Sequence, residues 1–159
     1  MIENQELQYA VFIMFSSKDD EFVRSCVYPK FEEYMHHEIN CNRELVDKDF
    51  KIGLCILNET IRCTKLSAVI VVILSDNFCK SGFCLQEFDI VFRLGKPIVL
   101  MLKGEVDIKK APQAIKDLFY TYVRIVWRLN DDGENELMNS WINVCYSILE
   151  LGGNCIVDK

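Results

Sequence analysis

Leu66-Ser67-Ala68-Val69-Ile70-Val71-Val72-Ile73-Leu74 runs into Ser75-Asp76-Asn77-Phe78, and then into Ser81-Gly82-Phe83-Cys84-Leu85-Gln86-Glu87-Phe88. A nearly unbroken apolar run rich in β-branched residues reads as a strand buried on both faces. Its abrupt end at small polar residues, followed by a helical pattern, gives a strand, its C-terminal edge, a loop and a crossover helix. In open α/β sheets that edge is where ligands bind. The helix carries one anomaly. With Phe83 at the origin and a helical advance per residue, Cys84, Phe88, Ile90, Val91, Phe92 and Leu94 share an apolar arc, and Glu87 falls inside it at about 40°. A carboxylate turned toward a sheet is costly unless hydrogen-bonded or neutral. Two readings follow: a structural glutamate bonded to loop amides or a hydroxyl, or a catalytic or ligand-binding carboxylate.

Outward from this run the same pattern repeats. Tyr9 to Phe15 is apolar and reads as a first buried strand. Ser17 and Asp20 form a capping-box pattern ahead of a helix through Phe22, Val23, Cys26 and Val27, which Pro29 should kink, running on to His37. A weaker strand lies over Asn40 to Val46, followed by a loop to Gly53. Leu54 to Lys65 reads as a helix with Ile56, Leu57, Ile61 and Cys63 inward. Gly95-Lys96-Pro97 separates the Glu87 helix from a strand at Ile98 to Leu102. Lys103 to Asp117 is irregular or partly helical, with Pro112 near a helix start. Tyr122 to Trp127 is an edge-like strand, and Asn130-Asp131-Asp132-Gly133 a turn. Leu137, Trp141, Val144, Cys145, Ile148 and Leu149 form the buried stripe of a last helix ended by Gly152-Gly153. Strands alternating with helices predict an α/β fold: a flavodoxin-like five-stranded parallel sheet of order 2-1-3-4-5, helices on both faces.

Composition bounds the function. The 159 residues fit one domain, placed at 8–151 with short tails or linkers at 1–7 and 152–159, and a hydrophobic share of 50% excludes disorder. A net charge of −6 without a dense Lys/Arg cluster argues against nucleic acid. The acidic Met1-to-Glu6 start lacks a signal peptide's pattern, and no apolar run is long enough to cross a bilayer. The expectation is a cytoplasmic protein, or the cytosolic portion of a larger receptor or adaptor, with no direct membrane insertion. Among the 8 cysteines, Cys55, Cys63, Cys84 and Cys145 sit among apolar helical positions as reduced hydrophobes, with Cys79 expected to be the exposed thiol. Neither Cys79/Cys84 nor His36, His37 and Cys41 has zinc spacing, so no metal is expected. A Gly-rich phosphate loop and a Walker lysine are missing, and no Ser-His-Asp or Cys-His set falls at strand ends.

Four blocks in order resemble the Toll/interleukin-1 receptor (TIR) domain of animal Toll-type receptors and adaptors. Tyr9-Ala10-Val11-Phe12-Ile13-Met14-Phe15-Ser16-Ser17-Lys18-Asp19 is similar to the family's first box. Val46-Asp47-Lys48-Asp49-Phe50-Lys51-Ile52-Gly53 resembles the second box and its BB loop, ordinarily basic-Asp-aromatic-x-Pro-Gly. Ile73 to Phe78 with Ser81 to Glu87 resembles the strand and the Ser-x-Trp-Cys-x-x-Glu helix, and Val126-Trp127 the third box, Phe-Trp. Three positions depart: Ile52 replaces the loop proline, freeing a φ angle and predicting a more mobile loop, Phe83 replaces the tryptophan and Val126 the phenylalanine.

The resemblance implies a signalling module in innate immunity that binds other TIR domains, homotypic or heterotypic, as an oligomer or filament when active. Asp49, Phe50, Lys51, Ile52 and Gly53 would form the interaction loop, with Phe50 and Ile52 as apolar anchors, unless Phe50 folds back onto the core. The alternative implied by the family is an NAD+ glycohydrolase, with Glu87 the catalytic carboxylate and Ser16, Ser17 and Phe50 lining the site. NAD+ would then be a substrate, and no cofactor is expected. The Ser16-Ser17 turn lacks the arginine common in hydrolysing relatives.

Overall fold

The structure is a computed structural model and describes residues 7–153; the rest of the expected tails lies outside the described residues. Strand β1 is Tyr9–Met14. A helical run, α1, covers residues 20–38: an α turn at Asp20–Phe22, a π segment Val23–Val27, α turns Tyr28–Glu33 and a second π segment Tyr34–Glu38. There follow β2 (Glu44–Val46), α2 (Ile56–Lys65), β3 (Ser67–Leu74), α3 (Asp76–Lys80), α4 (Gly82–Arg93), β4 (Ile98–Lys103), α5 (Gln113–Thr121), β5 (Ile125–Leu129), β6 (Asn135–Leu137) and α6 (Trp141–Gly152).

The sheet order is β2-β1-β3-β4-β5-β6. The first five strands pair in parallel, in the flavodoxin-like order expected, and β6 is a sixth strand antiparallel to β5. The hairpin turns where the sequence placed Asn130–Gly133, with Asn130 N–H donating to Glu134 O at 2.8 Å. Leu137 therefore belongs to β6, and the last helix begins only at Trp141. A strand as short and polar as Asn-Glu-Leu has no apolar alternation to announce it.

Alternate strand residues feed two cores. Val11, Ile13, Val69, Val71 and Met101 pack under α1 and α6, while Phe12, Met14, Ile70, Val72 and Leu100 pack under α2 to α5. Every residue of β3 is buried, as a strand covered on both faces requires. Phe22, Trp127, Trp141 and Phe31 form a chain of edge-to-face rings binding α1 to β5 and α6.

Local corrections have local causes. Pro29 does not break α1: it occupies the first turn of the Tyr28–Glu33 segment, after the wide π turns have absorbed its missing N–H. The cap after β1 is Ser16, whose Oγ accepts from Lys18 N–H at 3.2 Å, and Ser17 is exposed. On α2, Ile56 is exposed, and the buried residues are Glu59, Thr60, Cys63 and Thr64. Among the described cysteines Cys55, not Cys79, is the exposed one.

Candidate functional site

The segment from Asp47 to Cys55 leaves the C-terminal end of β2 and arches to the start of α2. Its root is heavily tied. Asp47, buried, meets Arg24 Nη1 at 2.9 Å, and Arg24 Nε also holds Asp20 at 2.9 Å. Burial pushes the Asp47 carboxyl up, against the pull of Arg24. Lys48, at a φ of 69°, turns back to donate to Phe15 O and to Glu87 Oε1 at 3.0 Å. Phe50 is half-buried, its ring 6.2 Å from that of Phe12. Lys51 N–H donates to Glu59 Oε1 at 2.8 Å.

Beyond Lys51 the loop is exposed. Ile52 is fully exposed, and Leu54 and Ile56 are about half-exposed. Gly53 has a φ of 89° and Leu54 N–H donates to Lys51 O at 3.4 Å, which closes a tight turn at the tip. Of the loop residues expected to make contacts, Asp49, Lys51, Ile52 and Gly53 are exposed, while Phe50 faces the second core.

Glu87 lies on α4, and its side chain is wholly buried. Besides Lys48 it has one other partner among the described residues: Thr60 Oγ1 donates to Oε2 at 2.6 Å. Both oxygens are thus charge-assisted or hydroxyl-bonded, which is what allows a carboxylate inside an apolar arc. Ser16 and Ser17 do not bond to it; the Ser16 hydroxyl is spent on its cap. Phe83, in the preceding turn, is exposed.

Two further groups went unread in the sequence. Glu59 is buried and held by Arg62 Nε at 2.8 Å and Nη2 at 3.0 Å. Arg62, then the Lys51 N–H, hold its carboxyl down at about 2. Asp19, also buried, accepts from Ser75 Oγ, from Asn77 Nδ2 at 3.0 Å and from Lys103 Nζ at 3.1 Å. This cluster clasps the turn after β1 to the C-terminal ends of β3 and β4. Nothing in an apolar periodicity finds an inward Glu59 or Thr60; the i,i+3 spacing of Glu59 and Arg62 was the available signal.

A cleft of about 710 Å³ opens at the other end of the strands. Ile98 and Ile125, at the N-terminal ends of β4 and β5, form part of its floor, and Phe92, Val123, Leu151 and Glu150 stand around it. Val123 is 93% exposed, so an apolar rim faces solvent.

Among the described residues no group of His, Cys, Asp and Glu is arranged to hold a metal, and no helix is long and apolar enough to cross a membrane.

The TIR domain family's profile matches residues 8–132. The chain is a member of the TIR domain family. Relatives include Toll-like receptor 2 of Boselaphus tragocamelus, 26% identical over 148 residues, covering 88% of this chain and 18% of the receptor. The mouse (Mus musculus) receptor gives the same identity and coverage. This TIR domain thus spans about a fifth of the length of those relatives. Among solved structures, the TIR domain of the Toll-related receptor TRR-2 from Hydra magnipapillata superposes with a TM-score of 0.59 at 19% identity, covering 75% of this chain and 84% of that one. The fold is therefore that of TIR domains.

Proposed function

We propose that this TIR domain signals by assembly. The tip of the 47–55 loop of one copy seats in the cleft at the N-terminal ends of β4 and β5 of the next TIR domain. The observation that carries this is the fully exposed Ile52 on a loop tied down at its root. With Leu54 and Ile56 also exposed close by in the chain, Ile52 belongs to a group of apolar side chains that gains by being covered by a partner. The cleft supplies the apolar counterpart, and exposed Glu150 on its rim suits the charge of Lys51. Tip and cleft are different surfaces at opposite ends of the sheet. Their contact is heterologous and extends into an open filament unless the rotation closes a ring. Other TIR domains, on the cytosolic side of a receptor or adaptor, are the partners.

NAD+ cleavage, the other reading of Glu87, requires a carboxylate able to reach a ribose. Here both oxygens are engaged and shielded from water, which favours a structural role.

The test uses Ile52→Asp and Val123→Asp. The unaltered protein should form large particles in sedimentation velocity as concentration rises. Each variant alone should remain monomeric. Mixed, they should stop at dimers, because one intact tip meets one intact cleft and both outer surfaces are blocked. Variants that assemble like the parent overturn the reading. Nicotinamide release lost in a folded Glu87→Ala protein would transfer the function to NAD+ cleavage.

A further inference from the structure

The turn at the loop tip has no residue that sets it in advance. Gly53 has positive φ and Ile52 does not; with the Lys51 O to Leu54 N–H bond, this is a type II turn with Ile52 at its second position and Gly53 at its third. Proline at the second position fixes φ before folding; isoleucine does not. Ile52 gains no packing either, being fully exposed. The turn is held one residue earlier. Lys51, which opens it, donates its N–H to Glu59 at 2.8 Å. Glu59 is itself fixed by two bonds from Arg62 and by burial. An ionised, pre-oriented acceptor makes this a charge-assisted bond to the backbone, stronger than an ordinary amide contact.

We infer that Glu59 is the positioning residue of the assembly tip, ordering the Lys51–Leu54 turn in the role a proline at position 52 would serve. The inference rests on the assembly reading. It means that the tip reaches its partner already ordered, and less conformational freedom is lost on contact. Glu59 touches no partner itself; it acts through the Lys51 amide.

A double-mutant cycle tests it. Ile52 has no hydrogen-bond partner on its N–H among the described residues, so Ile52→Pro removes no bond. Glu59→Ala should weaken assembly about tenfold or more in the Ile52 parent and less than about threefold in the Ile52→Pro background. A residue needed only for stability would cost the same in both. Equal losses, or no loss in the parent, overturn the inference. Amide exchange of Lys51, read on the unaltered protein at a dilution where it is monomeric, answers even where Glu59→Ala fails to fold. Protection is expected, and exchange at the free-peptide rate overturns the inference. A protein that never assembles but protects this amide overturns the assembly reading and leaves the anchoring of the turn standing.

Discussion

Lys48 Nζ lies 3.0 Å from Glu87 Oε1 and joins a surface loop to the buried face of α4. The two ends are unequal. The Lys48 side chain keeps 18% of its exposure and the Glu87 side chain none. Removing either partner of a buried pair costs about 3–5 kcal/mol, because the survivor is left charged and unpaired. The ammonium can still turn toward water, so Glu87→Ala should cost about 2–3 kcal/mol in urea unfolding, just below that range. Lys48→Met strands a carboxylate with only Thr60 beside it and should cost more, about 3–5 kcal/mol. The double variant Lys48→Met/Glu87→Leu should fall well short of the sum.

Gly152 closes α6 against β3. A Cβ there would lie 2.9 Å from Ala68 Cβ and 3.2 Å from Val69 Cγ2. Both neighbours belong to a fully buried strand, so the helix end must lift. Gly152→Ala should lose about 1–3 kcal/mol by overpacking, seen as a thermal midpoint lower by several degrees. Assembly should weaken too, since Glu150 and Leu151 at the cleft move with the helix.

Alkylation should report on the loop. Cys55, at the exposed end of the tip, should react first among the described thiols. Burial pushes Cys79 up to about 11 and Cys145 up to about 12, so both remain protonated and slow at neutral pH. Peptide mapping should find Cys55 labelled within the first phase, and its rate should drop as the protein assembles.

The Glu59 anchor should be acid-resistant. Its carboxyl falls from 4.5 to about 2 in the folded chain. As pH drops, the unfolded chain takes the proton first, so the contribution is complete above about 4.5, declines below it and is gone below about 2. Urea unfolding of the parent and of Glu59→Gln should therefore differ by a constant amount from pH 7 to about 5 and converge below.

What could be read in the sequence followed from periodicity. The Leu66–Leu74 run, the alternation of strands and helices, and the misplaced Glu87 were all visible because an apolar pattern, or one breach of it, marked them. What escaped has the opposite character. The inner face of α2 is built from Glu59, Thr60 and Thr64, polar residues whose burial depends on partners distant in sequence: Lys51 N–H for one, Glu87 for another. The bond from the Lys51 N–H to Glu59, one residue before Ile52, was equally invisible in the sequence. Lys48 read as an ordinary loop charge because only its left-handed backbone, not its side chain, turns it inward. Phe50 had two readings, and its ring lies against Phe12 just after that bend.

Both margins of the sheet are strands of only three residues, Glu44–Val46 and Asn135–Leu137. Each carries an exposed glutamate, Glu44 on one and Glu136 on the other. Truncated, acidic margins give a neighbouring chain little backbone to hydrogen-bond. Under the proposed assembly of copies, this separates reversible clustering from amyloid: crowding can drive side chains into a cleft, while the main chain offers no template for runaway strand addition.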